Sequence, residues 1–315
     1  MITISVCMIV KNEEKHLARC LDSLQGLWDE LVIVDTGSTD RTKKVAADYT
    51  SRIYDYQWRD DFAHARNFAF SLAQCDYIYA PDADETLDAA NRQKFLQLKQ
   101  TLLPEIEIVQ MIYVNRHNFK TTENFEKDYR PKLFKRLRTF QWMDPVHETV
   151  RLDPIVYDSD VEILHLPDSS HAGRDLALLR AAVKRGVRLS RRLHNMYARV
   201  LFMAGAPQDF REAESFFGDS LKDPSRGPEE HMEALCVLAR VSRLRKEDAR
   251  FLSLCLNGIA ADPCAELCLE AGDYYLEARD YENARDWYEN AQNAPAILDL
   301  RCQEEFPAER LARLP

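Results

Sequence analysis

The sequence predicts an α/β N-terminal half, a sheet flanked by helices, followed by an all-helical C-terminal half. Two observations predict this division. Strand and helix periodicities alternate as β-α-β-α-β-α-β within the first 85 or so residues, the pattern of parallel strands joined by crossover helices. After Pro167 strand formers thin out, and Ala, Leu, Glu and Arg dominate. The expected domains are therefore residues 1–167 and 168–315. Only 9 glycines in 315 residues also suits a large helical share.

The elements follow in order. Residues 2–10 form a β-branched run with no basic leader region or small-residue cleavage site, so they read as a strand and not as a signal peptide. Asn12 is expected to cap a helix, with Glu13 and Glu14 in its first turn. Leu17, Cys20, Leu21 and Leu24 then repeat at helical spacing, and Gly26 stops the run. Residues 30–34 make a second strand, 35–40 a polar turn, and a helix begins near Arg41. A third strand at 53–56 precedes a helix over 62–73 that carries Arg66 and Asn67. The fourth strand, 76–80, runs into Asp82, Ala83, Asp84 and Glu85; Glu85 is expected to start the next helix. That helix covers 88–103, and an alternating strand follows at 105–114. Residues 115–127 read as a loop near an acceptor, 129–138 as a basic segment, and 161–166 as a strand ending at His165.

Composition narrows the function. With 46% hydrophobic and 30% charged residues the chain is globular, and a net charge of −10 argues against general affinity for nucleic acid or anionic membrane. No apolar run reaches a membrane span. The eight cysteines include no CxxC pair and read as buried free thiols of a reducing cytoplasm, the expected location. There is no GxGxxG and no phosphate-binding P-loop.

The chemistry collects at strand ends, where ligands bind in such sheets. Lys11 and Asn12 follow the first strand, Asp35 ends the second, and Asp82 and Asp84 follow the fourth. Asp82 and Asp84 are two apart, so on an extended backbone both leave the same face and can grip a hard divalent cation. Each feature has a plainer reading: Asp35 as a helix-capping turn residue, Arg66 as a surface partner of Asp60 or Asp61, the carboxylates as a solvated turn.

Four segments in order, 7–14 (CMIVKNEE), 34–40 (VDTGSTD), 65–69 (ARNFA) and 82–85 (DADE), resemble the family 2 glycosyltransferases. The resemblance implies a GT-A fold, a Rossmann-like mixed sheet with helices on both faces. It also implies inverting transfer of a sugar from a nucleotide diphosphate donor, most often a UDP-sugar, with Mn²⁺ or Mg²⁺. By that resemblance Val10, Asn12 and Glu13 wall the nucleoside, Asp35 accepts a hydrogen bond from the base, and Arg66 reaches the base or diphosphate. Asp82, with Ala83 beside it, contacts ribose or metal; Asp84 ligates the metal, and His165 completes its shell.

The base that deprotonates the acceptor must come from elsewhere. By the same resemblance Glu148 is the candidate, with His147 as a metal-side, orienting or alternative group and Asp144 next in line; a surface His-Glu pair is the plainer reading. Arg130 or Lys132 either lines the site against phosphate charge or belongs to a solvated strand edge.

In the C-terminal half a long amphipathic helix is expected over 174–192. Residues 209–217 match 280–288 in type at every position, 71 residues apart, close to two units of about 34. This resembles tetratricopeptide repeats, which bind peptides, mediate self-association into homo-oligomers or serve as a structural cap. The aromatic residues Tyr274, Tyr275, Tyr281, Trp287 and Tyr288 read as packing.

The expected function is thus metal-dependent sugar transfer to a peptide, protein or cell-surface glycan. The competing reading is a helical-repeat interaction module whose transferase domain has lost activity, which the intact Asp35, Arg66, Asp82 and Asp84 oppose. A nucleotidyltransferase would carry a Gly-rich basic phosphate loop near the N-terminus, and residues 10–14 have none.

Overall fold

The computed structural model describes residues 1–115, 127–136, 142–143, 145–146, 149–150, 155–166 and 172–315. They fall into two compact units, one reaching Leu166 and one beginning at Ala172. The expected boundary at 167/168 lies outside the described residues.

The first unit holds β1 (Ile4–Val10), α1 (Leu17–Leu24), β2 (Glu30–Asp35), α2 (Thr42–Ala47), β3 (Ile53–Asp55), α3 (Phe62–Ser71) and β4 (Tyr77–Tyr79). It continues with β5 (Glu85–Thr86), α4 (Ala89–Thr101), β6 (Ile108–Asn115), β7 (Lys127–Lys135), β8 (Trp142–Met143), β9 (Thr149–Val150) and β10 (Val156–His165). Eight strands form one sheet in the order β3-β2-β1-β4-β7-β6-β10-β5, and β8 pairs with β9 separately. β1 to β4 are parallel, β7 runs antiparallel to both neighbours, and β10 is parallel to β6 but antiparallel to β5. The sheet is mixed, as expected.

Alternation along β1 divides the core into two layers. Ile4, Val6, Met8 and Val10 face Leu17, Leu21, Leu24 and Phe95 on one side. Cys7 joins Val32, Val34, Ala69 and Ile78 on the other. Side chains set the helix starts: Asp61 accepts from the His64 N–H at 3.0 Å and begins α3, and Asp88 accepts from Asn91 at 2.8 Å and begins α4.

Three local expectations are corrected. Asn12 does not cap a helix: it sits at φ 57°, and α1 begins only at Leu17. The backbone N–H groups of Asn12, Glu13 and Glu14 donate instead to side chains of the next loop, which holds this segment out of helix. Glu85 starts no helix but lies in β5, opposite His165. The basic segment is no sheet edge, because β7 is inserted between β4 and β6.

The second unit is helical throughout. It comprises α5 (Ala172–Lys184), α6 (Arg191–Ala204), α7 (Pro207–Ser220), α8 (Pro228–Leu244), α9 (Asp248–Ala261), α10 (Ala265–Glu277), α11 (Tyr281–Asn293), a 3₁₀ turn (Leu300–Cys302) and α12 (Phe306–Leu311). The single helix expected over 174–192 is two. Gly186, at φ 77°, reverses the chain after α5, Val187 N–H donates to Ala182 O, and Ser190 caps α6. Consecutive helices pack on each other, and α8 also touches α6 and α10. The matched segments lie in α7 and α11, where Ala213 and Phe217 correspond to Ala284 and Tyr288, all fully buried. Gly272 permits close approach of α10 and α11, since a Cβ there would meet the Tyr288 ring at 2.4 Å.

All eight cysteines are free thiols, and all but Cys75 are buried. Among the described residues no helix is long and apolar enough to cross a membrane.

Candidate active site

The carboxyl ends of β1, β2 and β4 bring most of the expected residues to one rim. The loop after β1 and the loop after β2 are laced together there. Asn12 N–H donates to Ser38 Oγ at 2.9 Å, Glu13 N–H to Thr42 Oγ1 at 2.7 Å, and Thr39 N–H to Asn12 Oδ1 at 2.8 Å. The Val10 carbonyl accepts from Thr36 N–H at 2.9 Å. Asp35, 1% exposed, ends β2 against this wall. Its Oδ1 accepts from the Gly37 and Ser38 N–H groups, each at 2.9 Å, while its Oδ2 is buried without a partner. A buried carboxylate oxygen with no donor is costly, so the site is built to receive one.

Across the rim, the loop after β4 carries Asp82, Ala83 and Asp84. Arg66 Nη2 donates to Asp82 Oδ1 at 2.7 Å, and Lys132 Nζ, from β7, stands 3.7 Å from Asp82 Oδ2. Burial alone would raise the Asp82 pKa, but the charges of Arg66 and Lys132 outweigh it and hold this carboxyl well below the usual range. Two-fifths of the Asp82 side chain stays open, so the ionised group still faces solvent and ligand. Arg66 also lies over the Trp142 ring, 4.9 Å from its centroid. Its neighbour Asn67 holds the Trp142 backbone in place, accepting from the N–H at 2.8 Å and donating to the carbonyl at 3.0 Å.

Asp84 points elsewhere. Its Oδ2 lies 3.1 Å from His165 Nε2, and its backbone carbonyl accepts from Leu166 N–H at 3.1 Å. The Tyr113 ring packs on His165 at 5.0 Å and carries the Arg130 guanidinium on its face at 3.9 Å. A carboxylate and an imidazole suit Mn²⁺, and one or two protein donors suffice where substrate phosphates supply the rest. The donor set therefore fits a divalent cation held by Asp84 and His165. Among the described residues no group of three or more His, Cys, Asp or Glu could hold a metal ion. Asp82 faces Arg66 and Lys132 instead. Asp144, His147 and Glu148 lie outside the described residues.

The residue overlooked in the sequence is Glu85. It is 1% exposed, its Oε1 accepts from Lys132 Nζ at 2.5 Å, and its Oε2 is buried without a partner. Burial pushes its carboxyl up to about 7, with Lys132 opposing and Asp82 adding to the shift. Its parity with Ala83, which faces inward between the more exposed Asp82 and Asp84, was the available signal.

The chain is similar to several known proteins. The family described as Glycosyl transferase family 2 matches residues 5–151. A TPR repeat-containing protein of Synechococcus elongatus is 45% identical over 87 residues, 28% of this chain and 22% of its own. The SPbeta prophage-derived glycosyltransferase SunS of Bacillus subtilis is 32% identical over 102 residues, 32% of this chain and 24% of its own. The chain thus spans about a quarter of the length of these two curated relatives. Glucosyl-3-phosphoglycerate synthase from Mycobacterium tuberculosis superposes with a TM-score of 0.41 at 16% identity, over 60% of this chain and 81% of that one. Residues 5–151, which hold the laced loops, Asp35, Arg66 and the Asp82–Asp84 turn, are matched by the family 2 glycosyltransferase model.

Proposed function

We propose that the protein transfers a sugar, with inversion, from a nucleoside diphosphate donor to a peptide, protein or cell-surface glycan, using Mn²⁺ or Mg²⁺. The observation that carries this reading is the partnerless, buried Oδ2 of Asp35, set across the rim from the Asp84–His165 pair. An acceptor oxygen buried at that point calls for a ring N–H. Uracil offers one at N3, and cytosine offers a lone pair there instead, so UDP is the expected carrier.

The chain's own residues divide the work as follows. Val10, Asn12 and Glu13 wall the nucleoside, Asp35 reads the base, and Arg66 balances the diphosphate while holding Asp82 beside the cation. Asp84 and His165 would hold a divalent cation, which would supply Lewis-acid stabilisation of the leaving diphosphate worth several kcal/mol. Glu148, with His147 beside it, takes the proton from the acceptor hydroxyl or thiol on the face away from the leaving group, which makes the transfer inverting. Residues 1–167 perform the transfer, and the helical pairs of 168–315 present or recruit the acceptor.

The test is calorimetry with UDP and CDP, with and without Mn²⁺. UDP binds the wild-type protein in the presence of Mn²⁺, and CDP binds more weakly. Asp35→Asn places an N–H donor against the N3 proton and weakens UDP by about ten- to a hundredfold, the worth of a hydrogen bond to a charged group. An Asp35→Asn variant that binds UDP like wild type overturns the reading.

A further inference from the structure

Around Asp82, four charged side chains from four parts of the fold alternate in sign. Glu85 comes from β5, Lys132 from β7, Asp82 from the loop after β4 and Arg66 from α3. Glu85, Lys132 and Arg66 are all buried. Lys132 is held at 2.5 Å by Glu85 and reaches Asp82 at 3.7 Å; Arg66 grips the other Asp82 oxygen at 2.7 Å. Each Asp82 oxygen thus faces a protein cation.

The cost of this arrangement is specific. A buried ammonium–carboxylate pair is weak evidence for stability, since well-packed apolar residues of similar volume often do as well or better. Glu85 moreover leaves Oε2 buried and unpaired. Lys132, caught between the two carboxylates and lying 5.3 Å from the Tyr113 ring centroid, has little freedom of its own. What the buried pair achieves is a fixed position for one positive charge beside one half-open carboxylate.

We infer that Glu85 and Lys132 are positioning residues of the transfer site: Glu85 fixes the Lys132 ammonium against Asp82, and Lys132 with Arg66 sets where the Asp82 carboxylate points. This rests on the proposed use of a nucleoside diphosphate donor. Neither residue needs to touch the substrate. Their effect passes through Asp82, so it falls on the cation–diphosphate end of the site and not on the base end at Asp35. Outer partners of this kind are worth about ten- to a hundredfold in affinity or activity.

The experiment compares Lys132→Met, Lys132→Arg, Glu85→Gln and the double variant Glu85→Gln/Lys132→Met with wild type. Three quantities are read: affinity for UDP with Mn²⁺, affinity for uridine, and melting temperature. Lys132→Met and Glu85→Gln each weaken Mn²⁺-dependent UDP binding by about ten- to a hundredfold. Uridine binding stays within about twofold, because the base contact at Asp35 is intact. The double variant binds no worse than the weaker single one, as expected of residues acting as a unit. Lys132→Arg restores most of the loss.

A folded Lys132→Met protein that binds Mn²⁺–UDP within about twofold of wild type overturns the inference, as does equal loss of uridine and UDP affinity. Should Glu85→Gln fail to fold, the Lys132→Met and Lys132→Arg proteins decide the matter by themselves. Wild-type protein that binds no UDP overturns the donor assignment instead, so the two failures are distinguishable.

Discussion

His165 Nε2 lies 3.1 Å from Asp84 Oδ2, brought there by the short antiparallel pairing of β5 and β10 that sets His165 opposite Glu85. The residues are 81 positions apart, and the contact exists because β10 lies between β6 and β5 at the end of the sheet. Asp84→Asn is expected to leave UDP affinity the same with and without Mn²⁺. His165→Ala is expected to weaken the Mn²⁺ effect by about tenfold and the Mg²⁺ effect less, because imidazole favours Mn²⁺. Parallel titrations with the two ions check both outcomes.

Asn67 ties α3 to β8 by two hydrogen bonds to the Trp142 backbone. Asn67→Ala removes both of these bonds and is expected to cost about 1–3 kcal/mol. Urea unfolding measures the loss. Because Trp142 backs the Arg66 guanidinium, UDP affinity is expected to fall in the same variant.

Much of this was legible in the sequence. The alternation of β1 and the Leu17–Leu24 stripe follow from local periodicity, and the polar strand ends place Asp35, Asp82 and Asp84 at one rim. What local reasoning misses is pairing between distant segments. Nothing near Lys132 says that β7 enters the sheet between β4 and β6, so an edge strand was an equal alternative. Glu85 follows two acidic neighbours and looks like a helix start; only its opposition to His165 and its bond to Lys132 reveal a buried group. The Asn12 segment has the composition of a capped helix, but hydroxyl and carboxylate groups from the next loop take its N–H groups first. In the second unit one amphipathic stripe runs through Gly186, which hides the break between α5 and α6.

Two glycines in the helical unit give opposite outcomes. A Cβ on Gly272 would meet the Tyr288 ring at 2.4 Å, whereas one on Gly218 would meet nothing within 4 Å. Gly272→Ala is expected to destabilise by about 1–3 kcal/mol through overpacking. Gly218→Ala, inside α7, is expected to stabilise by about 0.5–1 kcal/mol through chain entropy. Thermal unfolding of the two variants side by side checks the contrast.

Glu270 predicts an acid limit for the same unit. Its fully buried carboxylate meets Arg240 at 2.5 Å and Arg243 at 2.8 Å. Burial acts to raise its pKa, but the two guanidinium charges outweigh burial and lower it. The folded value lies below the unfolded one of about 4.3, so the stabilisation is complete above that pH and is lost as pH falls through the folded value. Glu270→Gln is expected to destabilise by about 3–5 kcal/mol at neutral pH, by removing the buried carboxylate that two partly buried guanidinium groups share. Its melting temperature should also fall less steeply than wild type below about pH 4.

The central place of β7 fixes an order of assembly. Strands β1 to β4 and their helices come from a continuous stretch of chain, whereas β4 pairs with β7 through contacts such as Tyr77 with Lys135, 58 residues downstream. Closing that span is slow relative to the local pairing that precedes it. A chain emerging from the ribosome therefore exposes Asp82 and Glu85 before the strand bearing their shared ammonium partner exists. The growing domain holds Glu85 without its ion-pair partner until β7 docks, and the insertion that completes the sheet is the same event that delivers Lys132.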